Sequence, residues 1–184
     1  YNAESVKTDF SVHYKPWGND FEILYNGRIG RGNTLYQGAN RYSIKNFNLQ
    51  QHKFEIRNNN FFLRAYQTSE SAGDSYDTRF TAININRSWK GDVQWFTDYV
   101  SAFAAARLGI GTGVMLDEAT SHAAARAFAD QGRLRPGTTQ FQSAYNKVTS
   151  DGDLTTGSKV IDNTKLRHVD AYYNQSHITS DVID

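Results

Sequence analysis

Asp77-Thr-Arg-Phe-Thr-Ala-Ile-Asn-Ile-Asn-Arg-Ser-Trp-Lys90, running on into Asp92-Val-Gln-Trp-Phe-Thr-Asp-Tyr99, is where the chain changes character. Upstream, polar and apolar residues alternate with the period of β-strands. Downstream the pattern is helical, rich in small residues and loopy. Near Lys165 the alternation returns. An excursion therefore interrupts a series of strands, and the fold is read outward from it.

Within the excursion, Asp77–Trp89 is predicted helical, although Ile83 and Ile85 with Asn84 between them also fit a short strand. Asp92–Leu108 is the clearest helix: Phe96, Tyr99, Val100, Phe103 and Arg107 fall on one stripe, and Gly109 is placed to end it. Leu116–Gln131 is Ala-rich with Asp117 and Glu118 at its positive end, and Thr138–Val148 is a third short helix. Upstream, Ser5–Tyr14 sets Val6, Phe10, Val12 and Tyr14 against Lys7, Asp9, Ser11 and His13. After the Lys15–Asp20 turn, Phe21–Ile29 is the return strand, with Leu24 breaking the alternation. Gly30–Asn46 reads as a long Gly/Asn-rich connection. Phe47–Arg57 and Phe61–Thr68 are strands joined by Asn58-Asn59-Asn60, and the excursion begins near Ser69. Lys165–Ile178 is the last strand.

Composition narrows the function classes. The net charge of +1 carries no basic block for nucleic acid, so no nucleic-acid partner is expected. The absence of cysteine excludes disulfides and thiolate chemistry. No apolar run is long enough for a membrane-spanning helix, which leaves membrane β-barrels open. An aromatic content of 14% is high for so hydrophilic a chain and suits strands wet on one face and apolar on the other. The chain begins at Tyr1 without Met and is expected to be an internal piece of a longer protein.

Candidate chemistry is sparse. Asp151, Asp153 and Thr155, with Asp162 farther on, put oxygens at positions 1, 3, 5 and 12 of a Ca²⁺-type loop. Position 6 is Thr156 where Gly is required, and a solvated polar turn accounts for the same residues. Glu118 and His122 stand one helical turn apart but lack the second His of a zincin. The Gly109-x-Gly-x-Gly113 run follows a helix, not the strand that a dinucleotide site requires. No nucleophile motif is present, so no catalytic residue and no enzymatic activity are expected. The excursion's aromatics Tyr76, Trp89, Trp95, Tyr99, Phe128 and Tyr145 offer a ligand platform, with Tyr76, Trp89 and Trp95 the leading candidates. The competing account is that they form the excursion's own small core.

An ordered series of stretches resembles a known family. It comprises Phe10-Ser-Val-His-Tyr-Lys-Pro-Trp17, Tyr25-Asn-Gly-Arg-Ile-Gly-Arg-Gly-Asn-Thr-Leu-Tyr-Gln-Gly38, Asn40-Arg-Tyr-Ser-Ile-Lys-Asn-Phe47, Gln51-His-Lys-Phe-Glu55 and Asn60-Phe-Phe-Leu-Arg-Ala-Tyr66. It continues through Gly73-Asp-Ser-Tyr-Asp77, Asn84-Ile-Asn-Arg-Ser-Trp-Lys90, Phe128-Ala-Asp130, Leu134-Arg-Pro-Gly-Thr138 and Asp153-Leu-Thr-Thr-Gly-Ser-Lys159. Together these resemble a TonB-dependent receptor of the Bacteroidetes type.

The resemblance implies an outer-membrane barrel of about 22 strands with a plug, energised through TonB. This chain would then be all-β with a helical insertion. It would supply about five strands of a transmembrane antiparallel β-barrel at 1–74 and 164–184, with a large helical extracellular loop at 75–163. The plug and the TonB-contacting segment would lie outside it. Phe10, Val12, Tyr14, Phe21, Ile23 and Tyr25 would face outer-membrane lipid, and Lys7, Asp9, His13, Glu22 and Arg28 the lumen. The expected function is capture and import of a nutrient, with a surface lipoprotein as a partner for the loop. The alternatives are a structural or secretion-associated barrel whose loop binds a protein, and a soluble carbohydrate-binding β domain.

Overall fold

The alternation around Phe10 becomes the first strand of an antiparallel sheet in the computed structural model, which describes residues 3–18 and 20–176. Strand β1 is Glu4–Tyr14, β2 Glu22–Gln37, β3 Arg41–Arg57, β4 Phe61–Ser71, β5 Tyr76–Asp77 and β6 Asn163–Tyr173. The sheet order is β1-β2-β3-β4-β6, with the two-residue β5 pairing with β3 off this path. The sheet is open. Helices α1 (Thr78–Trp89), α2 (Asp92–Leu108), α3 (Glu118–Ala129) and α4 (Thr139–Ser150) all lie between β5 and β6. The molecule is thus mostly antiparallel sheet with a helical insertion. It divides into a sheet unit, Tyr1–Tyr76 with Val160–Asp184, and a helical unit, Asp77–Lys159.

The sheet corrects the expected connection at Gly30–Asn46. Strands β2 and β3 run on through it, pairing Thr34 with Ile44, Leu35 with Ser43, Tyr36 with Tyr42 and Gln37 with Arg41 after an irregularity at Gly32/Thr34. Only Gly38–Asn40 is turn, closed by Gly38 N–H to Asn40 O at 3.0 Å. The Tyr36 and Tyr42 rings stack across the strands at 6.1 Å, a cross-strand pair of the kind that stabilises a hairpin by about 0.2–1 kcal/mol. Gly32 is there for close approach, because a Cβ would stand 2.8 Å from Glu4 O. Strand β4 likewise continues past Thr68 to Ser71, paired with Asn163. The final strand stops at Tyr173: residues 174–176, predicted to continue it, are not strand, and the remaining predicted residues, 177 and 178, lie outside the described residues.

Register sorts the side chains onto two faces. Tyr14, Ile23, Ile56, Leu63 and Ala171 form one cross-strand row, and Val12, Tyr25, Phe54, Ala65 and Val169 the next. This apolar face is open: Val12 is 57% and Val169 68% exposed. Phe10 packs its ring over Gly27, where a Cβ would collide with it, and meets Tyr25 at 5.7 Å. The opposite face carries His13, Glu22, Glu55, Arg64 and Asp170; Glu22 and Glu55 are covered, Glu55 to 3% exposure, while His13 stays exposed. Leu24, the break in the alternation, is buried on this polar face between His13 and Glu55. An exposed apolar face opposite a charged one is thus the pattern of this open sheet.

The helical unit is built on caps and small residues. Asp77 accepts from Arg79 N and Phe80 N at 2.7 and 3.0 Å to start α1, which settles Ile83 and Ile85 as helical. Asp117 caps α3 through Thr120 N at 2.9 Å, and Thr138 caps α4 through Phe141 N at 3.2 Å. Gly109 ends α2 in the left-handed region at φ 67°, as its position suggested. Ala125, Ala129, Ile85 and Val148 are buried, while α2 has no fully buried residue. Buried polar groups do much of the tying. Thr81 Oγ1 meets Ser158 Oγ at 2.7 Å, and Asp77 N–H reaches Ser158 O at 2.8 Å, which joins the unit's two ends.

Candidate functional site

Two arrangements carry polar chemistry, one in each unit. On the sheet, ion pairs and hydrogen bonds run across the polar face from β1 to β6. His13 Nδ1 lies 2.7 Å from Glu22 Oε1, and Arg57 donates to Glu22 Oε2 at 2.8 Å. Arg57 also approaches Glu55 at 3.5 Å, and Arg64 donates to Glu55 at 2.9 Å and faces Asp170 at 3.6 Å. Lys53 stands 3.5 Å from the same Glu55. Next to this ladder, Asn26 donates to Asp9 and Ser11 at 3.0 and 2.8 Å, and Arg28 pairs with Asp9. The result is a hydrophilic wall on which these charges face partners of opposite sign.

In the helical unit, Trp89 at the end of α1 and Trp95 in α2 line one cleft of about 260 Å³ with Lys90, Asp92, Phe96, Arg126, Asp130 and other residues. Trp95 is committed to packing. Its Nε1–H donates to Asp130 Oδ1 at 2.9 Å, its ring stacks on Tyr99 at 5.2 Å, and the Arg126 guanidinium lies 5.7 Å from its centroid. The aromatic series continues from Tyr99 to His122, with Tyr99 Oη 2.6 Å from His122 Nδ1, and from His122 to Phe103 at 4.4 Å. These rings weld α2 to α3, as the account of an internal helical core expects. Trp89 is half-buried under the Lys90 ammonium at 5.0 Å. That ammonium also donates to Asp98 and to Ala129 O at 2.8 and 2.7 Å and holds the Asp98 carboxyl below the usual range.

The third aromatic candidate, Tyr76, belongs to the sheet unit, where Lys45 sits 5.2 Å from its ring centroid. Sequence reasoning grouped it with the tryptophans by proximity in the chain; only Trp89 and Trp95 share a cleft. Glu118 and His122 lie 3.8 Å apart and exposed, but His122 is already engaged in the aromatic series.

Of the Ca²⁺ candidates, Asp151 and Asp153 turn their oxygens back onto their own turn. Asp151 accepts from Asp153 N and Thr156 Oγ1 at 2.9 and 2.7 Å, and Asp153 from Thr155 N and Oγ1 at 2.8 and 2.7 Å. The Thr156 and Thr155 hydroxyls lead in holding these two carboxyls below the ordinary aspartate value. Asp162 belongs to the sheet unit, and no group of three His, Cys, Asp or Glu side chains fit to hold a metal occurs among the described residues. The hydrogen bonds are those of a polar turn.

Comparison with protein families, with curated proteins and with solved structures finds no match to this chain.

Proposed function

We propose that this chain is a segment of an outer-membrane TonB-dependent active transporter that captures and imports a nutrient. The observation that carries the reading is the sheet's broad exposed apolar face, set against a charged face on which Glu22 and Glu55 are covered. A chain that keeps Val12, Phe54 and Val169 open on one face and Glu55 covered on the other suits lipid outside and a wet lumen inside. The apolar rows run from Phe61 to Ala65 on β4, roughly 14 Å at 3.4 Å per residue, and the next row sets Phe10 beside His52, Gln67 and Arg167. Trp17, Phe21 and Phe61 cluster at the turn end with ring separations of 4.9 and 6.4 Å, the composition of an interfacial girdle. The long edges β1 and β6 offer backbone groups for further strands to pair. In this reading the helical unit is extracellular, captures ligand or docks a surface lipoprotein, and energy arrives through TonB and a plug beyond these residues.

The chain contains no cysteine, so single labels are clean. Spin labels at Val12→Cys and Val169→Cys in the bilayer-embedded protein should relax with oxygen, and labels at Ser11→Cys and Lys53→Cys with a water-soluble nickel chelate. Four water-exposed sites, or apolar-face sites closed to both agents, would sink the proposal.

One observation favours the scaffold alternative, in which the loop binds a protein and nothing is transported. Helix α2 shows apolar side chains on its outward side too, with Val93 82% exposed and Phe96 and Val100 also open. Deleting residues 77–159 separates the two. Lost uptake with normal assembly supports import, and lost complex formation with normal uptake supports the scaffold.

A further inference from the structure

A larger cavity than the tryptophan cleft lies elsewhere in the helical unit. It is a groove of about 660 Å³ between α1, α4 and the 154–157 turn, within the size range of small-molecule sites. Its apolar wall includes Leu134, Ala144 and Val148. Along α4, Thr139, Ser143 and Lys147 recur at i, i+4 and i+8 and line it on one stripe. The side chains of all three, and of Gln140 beside them, make no hydrogen bond or ion pair among the described residues. The lining contains no carboxylate. Its other cation, Arg87, is held by Asp92 through Nε and Nη2 at 3.0 and 2.7 Å, which leaves Lys147 as the lining cation without a direct ion-pair contact among the described residues. The carboxylate of Asp151, which accepts from Asp153 N and Thr156 Oγ1, is near enough to feel the Lys147 charge but does not line the groove.

The rim is built. Asn84, 2% exposed, donates from Nδ2 to Leu154 O at 3.1 Å and to Gly157 O at 2.7 Å, and so pins the turn against α1. No aromatic ring lines the groove, so it lacks the stacking platform for a sugar. A lysine without a direct ion pair among the described residues, a row of hydroxyl and amide groups and an aliphatic wall together define a different guest.

We infer that this groove binds a small organic carboxylate with an aliphatic body, the anion on Lys147, its polar edge along Thr139 and Ser143, and its apolar part against Leu134, Ala144 and Val148. N-acylated aliphatic amino acids, including the last residue of a peptide, have this chemistry. The site stands whether or not the sheet meets lipid. A protein that proves soluble without detergent overturns the transporter reading and leaves this site to be tested as it is.

N-acetyl-leucine titrated into the full-length protein by calorimetry is the test, with N-acetyl-leucinamide as its uncharged counterpart. Saturable binding at one site is expected, weakened about tenfold or more in the amide and in Lys147→Gln, because a charge-assisted hydrogen bond is lost in each. Ser143→Tyr should abolish it by filling the groove, and Trp89→Phe, in the other cleft, should leave it unchanged. Lys147 is exposed, so Lys147→Gln keeps the fold, which circular dichroism checks. No saturable binding, equal binding of acid and amide, or full binding to Lys147→Gln would overturn the inference.

Discussion

Single residues hold the helical unit at its entrance. Asp77, buried at the start of α1, satisfies two backbone N–H groups that would otherwise lack partners, and its own N–H goes to Ser158 O. Removing such a cap costs about 1 kcal/mol. Asp77→Ala should therefore speed hydrogen exchange of the α1 amides about fivefold, while Asp77→Asn, which keeps an accepting oxygen, should change it little. Exchange equally fast in both variants would show that the cap oxygen is not what holds α1. Asn84 illustrates a residue whose role is invisible without its partners. Its side chain reaches carbonyls 70 and 73 positions away, and no local pattern announces that.

At the scale of elements, α2 and α3 are joined by rings and by carboxylates that work only when ionised. The N–H and hydroxyl of Thr120 lower the Asp117 carboxyl, and Lys90 lowers that of Asp98. A carboxyl depressed in the folded state stabilises above its unfolded value of about 3.9, and that contribution is lost as pH falls through the lower folded value. The helical unit should be insensitive to pH from neutrality down to about 4 and loosen below it. Amide exchange of α3, compared between neutral and acid pH, reads this out. Asp117→Asn should reduce the acid response, and a transition centred near neutrality would implicate other groups. In the sheet, the extension of β2 and β3 through Gly30–Asn46 shows how pairing overrides composition. Glycines there read as loop because local propensity is weak, yet Glu4 O and the Tyr36–Tyr42 pair give that segment its neighbours.

For the whole molecule, the decisive quantity is which solvent meets the apolar face. Val169 lies in an apolar row next to the row of His52, Gln67 and Arg167 and is largely exposed. Under the transporter proposal, Val169→Arg should destabilise the folded protein by about 2–4 kcal/mol, because a cation would enter hydrocarbon. Thr68→Arg, on the polar face, should cost less than about 1 kcal/mol. If the same face met water, Val169→Arg would be an exposed substitution worth within about 0.5 kcal/mol. Urea unfolding of the bilayer-reconstituted protein separates the two.

The sequence by itself determined what depends on neighbours along the chain. Period-two alternation assigned the faces of β1 and of the first half of β2, the terminator Gly109 set a helix end, and the change of pattern at Asp77 marked where the helices begin. Tertiary structure decided what depends on distant partners. It fixed the register that aligns Glu22, Glu55 and Arg64 into one ladder, turned Trp95 and His122 into packing, and removed Tyr76 from the tryptophans. It also gathered Thr139, Ser143 and Lys147 opposite Asn84 and Leu134 around a groove. The physical reason is range: torsional preference and capping act within a few residues, whereas burial and charge compensation are defined only once the chain has folded back on itself.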